Sequence, residues 1–415
     1  MEACILASAS RKTLLIIGAG QEQVPAYQAA KARGLVVVGT DMNPDAPAFG
    51  WADHGLLAST RDPAATLRTI GDFTLRHPIH GVMTIANDVP HTVAVVAQAL
   101  GLPGMAVASA QTVADKWLMK EAFQRAGVAC PWFAPVADAQ TLRRLMVEHG
   151  AQRYVIKPVD GRGARGVLQL GPDSDLDWAV DEARRWGECG RLIVEEFQPG
   201  LQLSTESFLL DGVAHTPAMA ERNYEFLERF SPYIIENGGT IPAPIDEPLR
   251  QRIDRLIAAG AAALGVREGI VKGDLIVTPE GEPIIVELAL RLSGGWFASH
   301  QIPAASGVSL VDAAIAHALG EPVTAEQLQP TRRRATAIRY WFPPAGVINA
   351  IDGEANLRAL PGLISHGFFR QVGDRQPEIK MHPDRFGYVL VEADDRPTAL
   401  ARVADGLNRL KVKVT

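Results

Sequence analysis

The sequence predicts a protein of mixed α/β and α+β class that is divided into several domains. With 415 residues, of which 47% are hydrophobic and 21% are charged, the chain has an ordinary globular composition and enough length for two or three domains. Near the N-terminus, apolar runs such as 14–18 (LLIIG) and 35–39 (LVVVG) alternate with helical segments, which is typical of a parallel sheet. From about residue 130 onward, short strands alternate with glycine-rich turns, which is typical of an α+β unit.

Charge and cysteine content argue against several classes of function. The formal net charge is −6, so bulk charge provides no basic surface, and we expect no nucleic-acid partner. Cys4, Cys130 and Cys189 are too few and too scattered for a disulfide framework or a cysteine-based zinc site. No basic residue precedes the short apolar run at the N-terminus, and no uncharged stretch approaches the ~20 residues of a membrane span. We therefore expect a cytoplasmic protein with no membrane partner.

The first domain is expected at residues 1–110 and the second at residues 111–210. In the first, strands at 14–18, 35–39 and 79–86 alternate with helices at 24–33 and 91–100. The second domain is expected to begin with a helix at 112–126 that ends at Gly127. Four short strands follow, interrupted by a helix at 174–186 with Ser174 as its N-cap. The strands are expected at 154–157, 166–170, 192–197 and 203–210.

A third domain is expected at residues 211–330 and a C-terminal α+β extension at residues 331–415. The third domain should contain a helix at 247–264, because Leu249, Ile253 and Ile257 recur at helical spacing. Gly260 falls on the same face and weakens that prediction. Two strands, 269–277 and 283–290, follow this helix, and the extension should consist of strands and turns with one final helix.

A pair of carboxylates in these two strands is the strongest local signal. If Glu280 and Gly281 form the turn of a hairpin, Asp274 and Glu287 lie directly opposite each other, because cross-strand partners then sum to 561. Facing Cβ atoms are about 4.5–5.5 Å apart, so two like charges there are destabilising unless a cation lies between them. Carboxylates with few other protein ligands suit Mg²⁺ that is also held by phosphates. The alternative is two unrelated charges on a solvated sheet face.

Glycine-rich segments provide three weaker signals. In 157–167 (KPVDGRGARGV), a strand delivers Lys157 to a loop whose backbone N–H groups could hold phosphate; its glycines are Gly161, Gly163 and Gly166. A flexible turn is the alternative. Segment 194–200 (VEEFQPG) ends a buried strand with free backbone groups that could bind a purine edge. Segment 18–23 (GAGQEQ), with Asp41 downstream, resembles a dinucleotide fingerprint, but its third glycine is replaced by Gln23.

Taken together and in this order, these segments resemble the ATP-grasp superfamily over roughly residues 10–330. The matching segments are ADKWLMKEAFQRAGVACP, YVIKPVDGRGARGV, VEEFQPG with STE, and GDLIV with IIVELALRLSGG. The resemblance implies an N-terminal parallel α/β domain, a small lid subdomain and a larger C-terminal lobe. It also implies that ATP lies between the lid and the lobe, with Mg²⁺, or alternatively Mn²⁺, as the metal ion.

The resemblance assigns roles to individual residues. Lys116 and Lys157 match phosphate-binding lysines, and Arg291 matches an arginine that steadies the reacting phosphoryl group. Asp274 and Glu287 match metal ligands. The strand between lid and lobe matches the adenine-binding segment, and Gln202 falls where a ribose-binding residue is common. The adenine-binding residues are Glu195, Glu196, Phe197 and Gln198.

One position departs from the pattern. Related sequences usually read E-x-N-x-R at the second ligand strand, whereas this chain has Ala289 in place of the asparagine. Because alanine cannot bind a metal, a nucleotide-binding protein without turnover stays open as an alternative.

The function implied is that of an ADP-forming carbon–nitrogen ligase. It would activate a small-molecule carboxylate as an acyl phosphate and join it to an amine, with amino acids as candidate substrates. The alternatives are a bicarbonate-activating carboxylase, a carbamoyl-transfer enzyme, and an NAD-dependent dehydrogenase built on Gly18 and Gly20. We further expect a homodimer. Candidate substrate residues are Asn87, Asp88, Arg222, Gly294, Gly295, Trp296 and His300.

Overall fold

The structure is a computed structural model that describes residues 11–415, so Cys4 and the apolar run at the N-terminus lie outside the described part. The N-terminal region forms a four-stranded parallel sheet of order β3-β2-β1-β4. Strand β1 is buried throughout, as its continuous apolar run predicts. The elements are β1 (Thr13–Ile17), α1 (Val24–Ala32), β2 (Val36–Asp41), β3 (His54–Leu57), α2 (Pro63–Thr74), β4 (Gly81–Met83), α3 (Pro90–Ala99) and α4 (Val107–Val113). The sequence did not predict β3, whose residues are only partly buried or exposed, or α2.

The next region folds into a small antiparallel sheet of order β5-β8-β6-β7 with three helices. Its elements are α5 (Lys116–Ala126), β5 (Phe133–Val136), α6 (Ala139–His149), β6 (Tyr154–Pro158), β7 (Leu168–Leu170), α7 (Leu176–Arg185) and β8 (Leu192–Glu196). The helix expected at 112–126 is split at Asp115, whose side chain caps α5 by accepting from two backbone N–H groups. The prediction of Ser174 as the N-cap of α7 is wrong by one residue, because Asp175 provides the cap.

The larger lobe contains two long antiparallel hairpins and helix α8. Its elements are β9 (Leu201–Leu210), β10 (Val213–Arg222), β11 (Gly239–Ile241), α8 (Glu247–Ala263), β12 (Gly269–Val277), β13 (Pro283–Ala289), a π-helix (Phe297–Gln301), α9 (Ile302–Ser306) and α10 (Leu310–Ala318). Gly260 lets α8 approach β13 closely, because a Cβ atom there would lie 2.7 Å from Ile285 Cδ1. The glycine that weakened the helix prediction therefore serves the packing of that helix.

The C-terminal segment contributes strands to the same large sheet. Its elements are β14 (Ala335–Trp341), β15 (Gly346–Asp352), α11 (Glu354–Arg358), β16 (Leu363–Phe368), β17 (Arg375–Gln376), β18 (Gly387–Ala393), α12 (Arg396–Arg409) and β19 (Lys411–Val414). The eight strands run in the order β13-β12-β9-β10-β11-β14-β18-β16, and a separate small sheet has the order β17-β15-β19. The fold class is confirmed: a parallel α/β domain precedes a small subdomain and a lobe with a large antiparallel sheet. The four domain boundaries stay a prediction.

No helix within residues 11–415 is long and apolar enough to cross a membrane. The large sheet and the sheet of order β5-β8-β6-β7 border a cleft, which the N-terminal domain also lines.

Candidate active site

A cleft of about 1090 Å³ collects most of the predicted site residues. The small sheet β5-β8-β6-β7 with the loop that follows β6, the large sheet and the N-terminal domain all contribute residues to its wall. The predicted residues that line it are Asn87, Asp88, Lys116, Lys157, Gly161, Gly163, Glu195, Glu196, Phe197, Gln198, Gln202, Arg222, Asp274, Glu287, Arg291, Gly294 and Gly295. The volume is at the upper end of the range usual for small-molecule sites, so it has room for a nucleotide and a second ligand.

Three predicted residues do not line this cleft. Gly166 packs against helix α7, since a Cβ atom there would lie 2.9 Å from the carbonyl oxygen of Ala183. Trp296 is buried and stacks on Tyr388 with ring centroids 3.7 Å apart. The imidazole of His300 contacts Ser299, and burial lowers its pKa. For Gly166 and Trp296, therefore, packing inside the protein replaces the predicted ligand contact.

Asp274 and Glu287 are directly opposite each other on β12 and β13, as predicted. The two-residue turn assumed for that pairing is wrong, because three residues, 279–281, lie between Thr278 and Glu282, whose backbone groups are hydrogen-bonded. A turn centred on Glu280 gives partners that sum to 560, as in the pair Leu275 and Ile285. A β-bulge at Val286 then shifts the register by one residue and restores the pair.

Cationic side chains surround both carboxylates. Arg222 donates to Asp274 at 2.7 Å, and the ammonium group of Lys272 also contacts Asp274. Burial alone would raise the pKa of Asp274, but Arg222 and Lys272 outweigh it and lower that pKa. Glu287 Oε1 lies 3.6 Å from Lys116 Nζ. Both acids therefore have cationic side chains close by.

The donor set fits Mg²⁺ in a specific way. Within the described chain, no group of three or more His, Cys, Asp or Glu side chains is placed to hold a metal ion. Asp274 and Glu287 would thus supply two oxygen ligands, and phosphates and water would supply the others, which is common for Mg²⁺. Ala289 stands where related sequences have an asparagine. It lies opposite Lys272 in the hairpin, so the cross-strand neighbour of this position is a lysine.

Two lysines approach the cleft from different elements. Lys116, the first residue of α5, donates from Nζ to the carbonyl oxygen of Gly161 at 2.8 Å, so it contacts the glycine loop. Lys157, at the end of β6, lies 2.8 Å from Glu195 Oε1. The opposite oxygen of Glu195 is 3.2 Å from Lys120 Nζ, and all three side chains are buried.

The carboxylate of Glu195 is shared between two lysines. Burial would raise the pKa of Glu195, but Lys120 and Lys157 outweigh it and lower that pKa. The contact of Glu195 with adenine stays a prediction. Its neighbours in 196–198 stay the predicted adenine-binding segment, with Phe197 covered by the guanidinium of Arg153 at 4.2 Å.

Arg291 joins the lobe to the N-terminal domain. Its Nε donates to Asp88 Oδ1 at 2.7 Å, and Asp88 raises the pKa of Arg291 against the effect of burial. The segment that follows Arg291 is anchored by Glu206. This fully buried acid accepts a hydrogen bond from the backbone N–H of Ser293 at 2.8 Å. Burial raises the pKa of Glu206 to about 7.

Arg222, predicted to meet a substrate carboxylate, already binds two acids. Besides Asp274, it donates to Glu236 Oε2 at 2.6 Å. Burial would raise the pKa of Glu236, but Arg222 and Arg385 together hold that pKa well below its usual range.

Several charged residues that line the cleft or support it were not predicted from the sequence. Lys120 could have been found, because it lies one helical turn after Lys116 in the matched segment. Glu22 was inside the dinucleotide-like segment but received no role. The others had no local signal: Lys272, Glu236, His382 and Arg385.

Comparison with known families settles the classification. An ATP-grasp N-terminal domain model matches residues 27–104, and an ATP-grasp domain model matches residues 113–295, together well over half of the chain. The chain belongs to the ATP-grasp superfamily. A further model, described as L-amino acid ligase C-terminal domain 2, matches residues 339–415 of this ATP-grasp protein.

Individual relatives of this ATP-grasp protein are distant. It is 25% identical over 327 residues to the uncharacterized protein y4rH of Sinorhizobium fredii, covering 77% of this chain and 65% of the relative. It is 27% identical over 158 residues to a D-alanine–D-alanine ligase of Streptomyces griseus, covering 37% of this chain and 39% of that protein. The chain thus spans between about two fifths and just under two thirds of the length of these relatives.

Solved structures agree on the fold of the ATP-grasp protein. The L-amino acid ligase of Bacillus licheniformis aligns with a TM-score of 0.83 at 19% identity, covering 98% of this chain and 99% of that chain. The phosphoribosylglycinamide synthetase of Anaerococcus prevotii aligns with a TM-score of 0.74 at 19% identity, covering 98% of this chain and 100% of that chain. At such identity the likeness shows the fold alone.

Proposed function

We propose that this protein is an ATP-dependent, ADP-forming ligase that activates a small-molecule carboxylate as an acyl phosphate and joins it to an amine. One observation carries the proposal: Asp274 and Glu287 face each other in the same cleft as Lys116, Lys157 and Arg291. Two acids and three cations that line one cleft suit the transfer of a phosphoryl group, which needs positioning and charge neutralisation rather than a protein nucleophile.

The residues have separate roles in the proposed reaction. Lys116 and Lys157 hold phosphate oxygens of ATP, while the segment 196–198 and Gln202 hold the nucleoside. Asp274 and Glu287 would hold Mg²⁺, which when bound neutralises charge on the phosphates. The substrate carboxylate attacks the γ-phosphorus, the bond to the β-phosphate oxygen breaks, and ADP leaves.

Arg291 neutralises charge on the phosphoryl group as it moves, because its guanidinium is oriented into the cleft by Asp88. An amine then attacks the acyl carbon, inorganic phosphate leaves, and the nitrogen loses a proton. The glycine loop around Gly161 and Gly163 covers the phosphates and excludes water, which would otherwise hydrolyse the acyl phosphate.

Amino acids are the first substrates to test. The C-terminal match to a model named for L-amino acid ligases supports this choice. The test measures ADP release from ATP and Mg²⁺ with pairs of L-amino acids and with bicarbonate alone, followed by mass spectrometry of the products. ADP formation that needs two amino acids supports the ligase. ADP formation with bicarbonate alone would favour a carboxylase, and no ADP formation with any of them would contradict the proposal.

Substitution of the facing acids tests the proposed metal ligands. We expect Asp274→Asn and Glu287→Gln each to lower kcat by roughly a hundredfold or more, because the phosphates lose a neutralising partner. Glu280→Gln is the matched control, since Glu280 lies exposed in the turn of the same hairpin. Wild-type turnover in both variants would exclude these acids as metal ligands.

A further inference from the structure

A residue from the C-terminal segment lines the same cleft as Asp274. Arg385 precedes β18, lines the cleft and is 7% exposed. Its guanidinium lies 4.0 Å from the centroid of the Tyr340 ring. One terminal nitrogen donates to the carbonyl oxygen of Glu236 at 2.5 Å and lies 3.5 Å from Glu236 Oε2. Stacking and hydrogen bonding therefore fix this side chain in one orientation.

The fixed guanidinium has an unused donor. Arg385 Nε is buried and has no hydrogen-bond partner among residues 11–415. A buried N–H group that lacks a partner is unfavourable, so native proteins rarely keep one without a ligand or water to satisfy it. Nε and a terminal nitrogen of arginine together form the fork that matches a carboxylate with two parallel hydrogen bonds.

We propose that Arg385 binds a second carboxylate of a substrate, one that is not activated by ATP. This inference rests on the proposed ligase function. It adds that one of the two substrates carries a free carboxylate in addition to the groups that react. Arg385 would thus be a specificity-determining residue, supplied by the region that matches the C-terminal model rather than by the ATP-grasp domain.

Among residues 11–415, Arg385 forms an ion pair with Glu236 and not with Asp274 or Glu287, which argues that this carboxylate is a separate one. Asp274, the proposed metal ligand, pairs with Arg222, which pairs with Glu236, which in turn contacts Arg385. A group bound at Arg385 is therefore three ion-pair steps from the metal ligand. The carboxylate that attacks the γ-phosphate must instead lie close to Asp274, Glu287 and Arg291.

Acidic neighbours do not oppose a carboxylate at this place. Glu236 is already neutralised by Arg222. Glu22 accepts from the backbone N–H of Gly295 at 3.1 Å, and Gly295 adjoins the Tyr340 hydroxyl. Burial raises the pKa of Glu22, which favours a neutral carboxyl group that can donate to an anion. His382 lies nearby, and burial lowers its pKa well below the usual range, so it stays uncharged.

The test compares substrates that differ only in the second carboxylate. Hydroxylamine, an amine without a carboxylate, captures the acyl phosphate and measures activation of the acid in each variant. In one arm, each L-amino acid that acts as the amine partner is compared with its primary amide. In the other arm, L-aspartate and L-glutamate are compared with L-asparagine and L-glutamine as acid partners, with hydroxylamine as the amine.

In one of the two arms we expect the wild type to prefer the carboxylate over the amide. Arg385→Gln should lower kcat/KM for that carboxylate by about a hundredfold relative to the amide, because charge-assisted hydrogen bonds are lost. Arg385→Lys should keep part of the preference. Arg375→Gln is the matched control, because Arg375 is exposed on β17 of the same segment and outside the cleft, and it should keep the full preference.

The outcomes separate the two proposals. If no acid gives a hydroxamate and ADP in the wild type, the ligase function fails. If hydroxamate forms but the wild type shows no preference in either arm, or Arg385→Gln keeps the preference, the assignment of Arg385 is overturned. Because each ratio is measured within one variant, a loss of folded protein does not imitate the expected result.

Discussion

At the scale of single residues, the cleft is stabilised by buried charges that neutralise one another. Lys120, Glu195 and Lys157 form a buried row in which one carboxylate serves two ammonium groups. Removing the carboxylate leaves two like charges in a site that water does not reach, and such a change usually costs 3–5 kcal/mol. The row thus combines a stability requirement with the orientation of Lys157 toward the cleft.

We expect Glu195→Gln to lower the free energy of unfolding by about 3–5 kcal/mol. Adding Lys120→Met should recover part of this loss, because only one buried ammonium group then stays without a carboxylate. The measurement is urea unfolding of the wild type, both single variants and the double variant, combined in a double-mutant cycle. Additive effects of the two substitutions would show that these side chains do not act together.

Glu206 should make the stability depend on pH. Its pKa is about 7 in the folded protein, compared with 4.5 for a glutamate that is not buried. The folded protein therefore binds this proton more tightly than the unfolded chain does. Its contribution is present below about pH 4.5 and is lost as pH rises through 7. Replacing it with glutamine keeps a group that can accept from Ser293 and removes the titration.

Relative to the wild type, Glu206→Gln should therefore gain stability between pH 5 and pH 9, by up to about 3 kcal/mol. The measurement is the difference in the free energy of unfolding between variant and wild type at both pH values. A difference that does not change with pH would mean that Glu206 stays ionised in the fold.

At the scale of elements, the β12–β13 hairpin shows what a sequence pattern can predict. Alternation and turn residues placed both strands correctly, and the pair Asp274 and Glu287 was found. The turn length and the bulge at Val286 were not predicted, and their two errors cancelled. A bulge depends on how the strand packs against β9 and α8, which a local pattern does not contain.

The glycine-rich loop 161–166 contains two glycines, Gly163 and Gly166, with similar positive φ angles, so their substitutions can be compared. Gly163 has φ +61° and Gly166 has φ +67°, so alanine costs about 1–2 kcal/mol at either position. At Gly163 the new Cβ would lie 3.2 Å from the end of the flexible Arg165 side chain and 3.8 Å from Pro383, whereas at Gly166 it would lie 2.9 Å from a backbone carbonyl oxygen of α7.

Gly166→Ala should therefore reduce the free energy of unfolding by about 1–3 kcal/mol more than Gly163→Ala. Urea unfolding of the two variants measures this difference. Equal losses would mean that α7 moves away from the loop without cost.

At the scale of the whole molecule, the cleft depends on segments far apart in sequence. The motifs within residues 113–295 could be recognised because their residues lie close together along the chain. Glu22, Glu236 and Arg385 meet there only because β14 and β18 extend the large sheet and the N-terminal domain packs beside it. No spacing rule connects such residues, so the sequence could not place them.

The contact between the N-terminal domain and the lobe has one part that should affect catalysis and one that should not. Near the cleft, Ile85 pairs with Leu292, and Asp88 binds Arg291. On the far side, Glu321 pairs with Lys12 at 3.0 Å and Arg33 at 2.5 Å, with about a third of its side chain exposed. Both parts join the same two bodies, so they provide a matched pair of substitutions.

We expect Asp88→Asn to lower kcat by tenfold or more, because Arg291 loses the acid that orients it. Glu321→Gln should change the free energy of unfolding by less than about 1 kcal/mol and leave kcat unchanged, since exposed ion pairs contribute little. Steady-state ADP release and thermal unfolding of both variants measure these effects. Equal effects of the two substitutions on kcat would mean that Asp88 acts only by joining the domains, whereas a loss confined to Asp88→Asn indicates that the N-terminal domain positions Arg291 for phosphoryl transfer.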